Sequence, residues 1–194
     1  MRMSREAMAR HHEEIVAAAA RLLRERGVEG TSVADLMQAA GLTHGGFYRH
    51  FESKEELVAE ASEAAFAAML DSIESRFEKQ GPAGGLKAYV SRYLSTQHVK
   101  GPGSGCPVAA FGSDAARAGA DVQRIFAERI GRQIDTLATG LEGGGAERKA
   151  KAMRLLATLV GAVVIARAAG DSRIGSDVLK ACREAFDDAP SRKR

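Results

Sequence analysis

The sequence predicts an all-α protein. Almost every segment repeats its apolar residues at the three- and four-residue spacing of an amphipathic helix, and no stretch alternates apolar with polar residues as a half-buried strand does. Glycines and prolines punctuate the periodic segments, so that short helices come first and longer ones follow from Glu55. A composition of 45% hydrophobic and 27% charged residues lies near the globular average and excludes a disordered chain.

Each element has its own local reason. From about Met8 to Arg26, Ile15, Ala18, Ala19, Leu22 and Leu23 share one face, and Gly27 supplies a left-handed stop. Ser32 can cap a short helix carrying Val33, Leu36, Met37 and Ala40, which Gly41 ends. Thr43 can cap a second short helix holding Phe47 and reaching Phe51. The run Ser53-Lys54-Glu55-Glu56 reads as a capping box opening a long helix to about Lys79, closed by Gly81-Pro82. Further helices are expected from about Ala83 to His98, Val108 to Arg117, Asp121 to Leu141, Ala146 to Ala169 and Ile174 to Phe186. The glycine-rich stretches at Gly101–Gly105 and Gly143–Gly145 separate them. Residues 1–55 therefore read as a small helical head and 56–194 as a larger helical body.

Charge gives little direction. The chain carries 28 Lys and Arg against 25 Asp and Glu. From Met1 to Glu55 eight basic residues meet eight acidic ones, so nucleic-acid binding must be argued from pattern. The longest apolar run, Leu155–Ala166, is 12 residues and too short for a bilayer crossing, which needs roughly 20. No secretory signal is visible at the N-terminus, and a cytoplasmic location is expected. Cys106 and Cys182 have no second ligand at metal spacing, so neither a disulfide framework nor a metal site is expected. No cofactor is implied.

The segment Ser32–Phe51, SVADLMQAAGLTHGGFYRHF, has the helix, glycine turn and second helix of a helix-turn-helix. Val33, Leu36, Leu42, Phe47 and Phe51 would hold the pair against the first long helix. Thr43, His44, Tyr48, Arg49 and His50 would be left facing outward. Gly45-Gly46 costs such a helix about 1 kcal/mol per glycine relative to alanine. Close approach of the backbone to DNA is a reason for that choice.

At these residues, continuing as LTHGGFYRHFESKEEL, the chain resembles the TetR-like (TetR/AcrR) family of bacterial transcriptional regulators. Thr31-Ser32, Val33-Ala34, Ala40-Gly41, Phe47-Tyr48, His50-Phe51 and Ser53-Lys54-Glu55 fall at the family's positions, and the likeness runs from Ile15 to Leu57. The resemblance implies a homodimer that binds an inverted-repeat operator in double-stranded DNA through its heads. It also implies that a small-molecule effector in the body releases the operator; no membrane partner is expected. The DNA-binding set it implies is Ser32, Thr43, His44, Gly45, Gly46, Tyr48, Arg49, His50 and Lys54. Thr43 would cap the recognition helix and touch phosphate, as would Tyr48, His50 and Lys54. His44, Gly45 and Arg49 would read base edges, Arg49 by pairing with guanine.

The body carries over only as architecture. Pocket candidates are Phe66, Met69, Tyr89, Tyr93 and His98, with Cys106, Phe111, Phe126 and Met153; at helical spacing they also serve as core. Cys106, between a glycine-rich run and Pro107, is expected at a helix N-terminus, where a thiol is favoured to react with electrophiles. The nearly all-round apolar helix around Met153–Ala166 and the stripe of the last helix suggest a four-helix dimer interface. Leu156, Val160, Val164, Val178, Cys182 and Phe186 are its candidates. Two other classes compete: a constitutive DNA-binding architectural protein, and an enzyme using Cys106 as nucleophile with His98 as base. The second lacks an identifiable third group, and no catalytic residue is assigned.

Overall fold

A computed structural model describes residues 5–188, which form helices joined by short turns, with no strand among the described residues. The helices are α1 (Arg5–Arg26), α2 (Val33–Ala39), α3 (Lys54–Tyr93), α4 (Thr96–Lys100), α5 (Pro107–Ala115), α6 (Ala120–Thr139), α7 (Gly145–Ala168) and α8 (Arg173–Asp187). Two 3₁₀ turns, His44–Arg49 and Pro102–Ser104, stand before α3 and α5. No described helix is long and apolar enough to cross a membrane.

The chain forms two compact units. One holds residues 5–68 together with Pro102–Arg129; the other holds Met69–Gly101 and residues 130–188.

In the first unit, α1 buries Ile15, Ala19, Ala20, Leu22 and Leu23, the stripe its spacing predicts. It packs on α2, on the Pro102–Ser104 turn and on α5. Gly27 ends it at φ 75°, and Gly41 ends α2 at φ 73°, both in the left-handed region where a Cβ is costly. Phe66, Phe111 and Phe126 form an edge-to-face cluster, with centroids 4.9 Å apart for Phe66–Phe126 and 5.3 Å for Phe111–Phe126.

In the second unit, α7 packs on α8 and on α4. Helix α3 is interrupted at Gly81 (φ 70°, ψ 171°), immediately before Pro82, where the sequence predicts a stop. It ends at Tyr93, earlier than the expected His98. Ser95 is the reason: its hydroxyl donates to the Arg92 carbonyl at 2.7 Å and accepts the His98 N–H at 3.2 Å, so a new turn starts at Thr96. Arg167 donates to the carbonyls of His98 and Val99, and Arg183 donates to that of Leu94, tying these chain ends to α7 and α8.

The dimer and pocket candidates on α7 differ in exposure. Leu156 is only 6% exposed and belongs to the chain's own core. Met153, expected to line a pocket, is 48% exposed, and on the same helix Val164 is 45% and Ile165 49% exposed. The apolar residues run round the whole of α7, so period alone does not separate its inner face from its outer one. Val160, Val178, Cys182 and Phe186 are half-buried.

Candidate nucleic-acid interface

Helix α2 begins with a true capping box: Ser32 Oγ accepts the Asp35 N–H at 3.1 Å, and Asp35 Oδ2 accepts the Ser32 N–H at 2.9 Å. These bonds hold the Asp35 carboxyl below its ordinary pKa, the serine side chain being the largest cause. At the next turn, Leu42 N–H donates to the Met37 carbonyl at 2.9 Å.

The second short helix of the motif is a six-residue 3₁₀ turn, tighter than an α-helix. Two adjacent glycines in a segment this short leave little helix propensity to hold an α-helix. Thr43 stands at its N-cap with extended backbone, but its side chain makes no capping hydrogen bond, contrary to the expected cap. Phe47, 1% exposed, and Phe51, 2% exposed, anchor the turn with centroids 5.6 Å apart. Tyr48 stands edge-on to Phe47 at 5.2 Å and is 74% exposed. His44 and Arg49 are exposed beside it. A Cβ placed on Gly45 would meet nothing within 4 Å, and one on Gly46 would meet only Met37 Cε at 3.6 Å. The chain's own packing therefore gives no reason for either glycine.

Around this turn, His12 joins α1 to α3 by a contact of 2.8 Å between its Nε2 and Glu60 Oε2, and its ring stacks on Phe51 at 4.6 Å. His50 lies 6.1 Å from the His12 ring, and burial, then His12, His11 and Arg49, hold its pKa below the ordinary value. Lys54, the first residue of α3, donates from Nζ to the Val28 carbonyl at 2.9 Å. The start of α3 departs from the expected box by one residue. Ser53 Oγ accepts the Glu56 N–H at 3.1 Å, but the Glu56 carboxylate reaches past Ser53 to the Glu52 N–H at 2.5 Å.

The pocket candidates fall in both units. Phe66, Cys106, Phe111 and Phe126 are buried in the first; Met69, Tyr89, Tyr93, His98 and Met153 belong to the second. Cys106 is the N-cap residue of α5, as its spacing suggests, but is 3% exposed. In the second unit, Tyr93 stands edge-on to His98 at 4.5 Å and lies 5.5 Å from Tyr89. His98 Nδ1 bonds the Tyr93 carbonyl at 2.7 Å, and burial holds its pKa low. A separate cleft of about 630 Å³, lined by Thr96, Lys100, Arg167 and Ser172 among others, contains none of the expected pocket residues.

Three features escaped sequence reasoning. Gln133 is fully buried, donates from Nε2 to Tyr89 Oη at 2.7 Å, and leaves Oε1 without a hydrogen bond. Its signal was available, because it interrupts the apolar spacing Val122, Phe126, Leu137 on α6. Arg24 donates to the Gly103 carbonyl at 2.7 Å, and Val28 N–H donates to Asp114 Oδ2 at 2.9 Å. These pairs are far apart in sequence and have no local signature.

The all-helical fold with an exposed, phenylalanine-anchored turn after α2 defines a helix-turn-helix protein. Residues 15–61 match the family described as bacterial regulatory proteins, tetR family. An uncharacterised helix-turn-helix-type regulator of Mycobacterium tuberculosis is 32% identical over 107 residues, covering 53% of this chain and 52% of that protein. The repressor DhaR of Mycobacterium sp. strain GP1 is 30% identical over 132 residues, 64% of each chain. The chain thus spans about half the length of the first of these curated relatives. A TetR-family regulator from Cytophaga hutchinsonii, whose crystal structure covers 100% of both chains at a TM-score of 0.77 and 22% identity, has the same fold.

Proposed function

We propose that the protein is a transcriptional repressor that binds an inverted-repeat operator as a homodimer and leaves it when a small molecule occupies the body. The observation that carries this reading is the surface of the recognition turn. Phe47 and Phe51 fix it from below, while Thr43, His44, Tyr48 and Arg49 project outward around two glycines that internal packing does not require. Such a surface suits the major groove, where the N-terminal residues of the turn meet base edges and flanking groups meet phosphate. His44, Gly45 and Gly46 lead the turn; Thr43, Tyr48 and Ser32 flank it.

Dimerisation is supported by the exposed apolar residues Met153, Val164 and Ile165 on α7 and Ile174 on α8, side chains that a lone chain would leave in water. A twofold axis through them demands two half-sites about one helical turn apart, or a multiple of that. An effector site is supported by Gln133, whose buried Oε1 awaits a donor beside Tyr89.

Selection of bound sequences from a pool of random duplexes tests the reading, followed by a metabolite screen for release. An enriched inverted repeat with effector-dependent release supports it. Enrichment that no metabolite reverses supports a constitutive DNA-binding protein, and no enrichment overturns the proposal.

A further inference from the structure

The first turns of α1 and the end of the recognition turn border a shallow, open cleft of about 430 Å³ lined by Arg5, Met8, Ala9, His12, Glu13, Arg49 and His50. On α1 the lining residues recur at helical spacing and form one face. We propose that Arg5 and Arg49, with His50, seat one backbone phosphate of duplex DNA, so that α1 adds a contact the helix-turn-helix lacks. This inference rests on the DNA-binding reading above and assigns Arg49 to phosphate, where the sequence pattern had suggested a base edge.

Three observations carry it. First, neither guanidinium has a carboxylate partner among the described residues. By contrast Arg21, Arg117, Arg124 and Arg129 of the same unit are each paired with an acid. Second, the charge of the lining is positive. Glu13 is its one acid against Arg5 and Arg49, and Glu60, which faces His12 from α3, is occupied by that ring. Guanidinium groups match phosphate oxygens with paired donors, whereas the apolar Met8 and Ala9 can carry only side-chain stems. Third, Arg49 is the last residue of the 3₁₀ turn, and base edges are read by the first residues of a recognition element.

His50 adds a pH dependence. The groups facing it are His12 and His11 from α1, Arg49 from its own turn and the Phe51 ring. Burial, then His12, His11 and Arg49, hold its pKa below the ordinary value, and an arriving phosphate favours the protonated form. Binding therefore takes up a proton and strengthens as pH falls.

The test titrates the full chain against a 30-base-pair duplex of random sequence, by fluorescence anisotropy, across a range of salt concentrations. Arg5→Gln and Arg49→Gln should each reduce the slope of log K against log salt by about 0.9, the value for one lost phosphate contact. Arg124→Gln, which removes an equal charge from an exposed pair on α6, should leave the slope unchanged. His50→Gln should flatten the pH dependence seen with the wild type between about pH 8 and 6. Wild-type slopes in both cleft variants, or a wild-type pH profile in His50→Gln, would overturn the seat while leaving DNA binding intact. Failure of the wild type to bind the duplex even at low salt would overturn the DNA-binding reading and the seat with it.

Discussion

The Val28 amide, two residues beyond the end of α1, donates to Asp114 Oδ2 of α5 at 2.9 Å. The same carboxylate accepts from Arg117 through Oδ1 at 2.6 Å, so both its oxygens are engaged. Gly27 makes the approach possible, since a Cβ there would lie 2.7 Å from Asp114 Oδ2. The carbonyl of Val28 accepts from Lys54, and one peptide segment is thus pinned from α5 and from α3.

Asp114→Ala removes the acceptor and leaves the Val28 N–H unsatisfied, at a cost of about 1–3 kcal/mol. Urea unfolding followed by circular dichroism should show a lower midpoint at unchanged slope. A wild-type midpoint would mean that water replaces the carboxylate without loss.

Lys54→Met should also lower the midpoint, because its ammonium serves the Val28 carbonyl. Since both side chains hold one residue, the double variant should lose less than the sum of the single losses. Strict additivity would separate the two contacts. Loss of DNA affinity in Lys54→Met without loss of stability would return the lysine to a phosphate-binding role.

The capping box of α2 predicts an acid dependence. The Asp35 carboxyl is held below its ordinary value in the folded chain, so its stabilisation is complete above that ordinary value. It is lost as pH falls through the lowered one. The thermal midpoint of the wild type should fall toward that of Asp35→Asn as pH drops from about 5 to about 2. Parallel curves for the two proteins would remove the box from the stability of the head.

These local features were legible in the sequence for a physical reason. Ser32, Gly41, Phe47 and Gly27 act on neighbours within a few residues, and their chemistry is the same in any chain. The Arg24–Gly103 and Val28–Asp114 bonds join residues separated by 79 and 86 positions, where no spacing rule applies. The same limit applies to Arg5, whose relation to Arg49 exists only once α1 lies beside the recognition turn. In α7 the difficulty differed: Leu156 and Met153 are equally apolar, and only packing decides that the first is buried and the second exposed.

The outer face of α7 supplies the fourth prediction. Val164→Arg should leave helix content intact, because the residue is 45% exposed in the single chain, yet convert the proposed dimer to a monomer by light scattering. Leu156→Arg should instead unfold the chain, since an unpaired charge at a buried position costs several kcal/mol. An undisturbed Val164→Arg dimer would place the interface on another surface.

The central claim, that two recognition turns related by a twofold axis read DNA, is tested most directly by hydroxyl-radical footprinting on a duplex selected by the wild-type protein. The account predicts two protected segments, related by the symmetry of the sequence and spaced by about one helical turn or a multiple of it. It also predicts that both disappear in a His44→Ala, Tyr48→Ala variant that retains wild-type helix content. A single protected segment, or protection that survives in the variant, would contradict it.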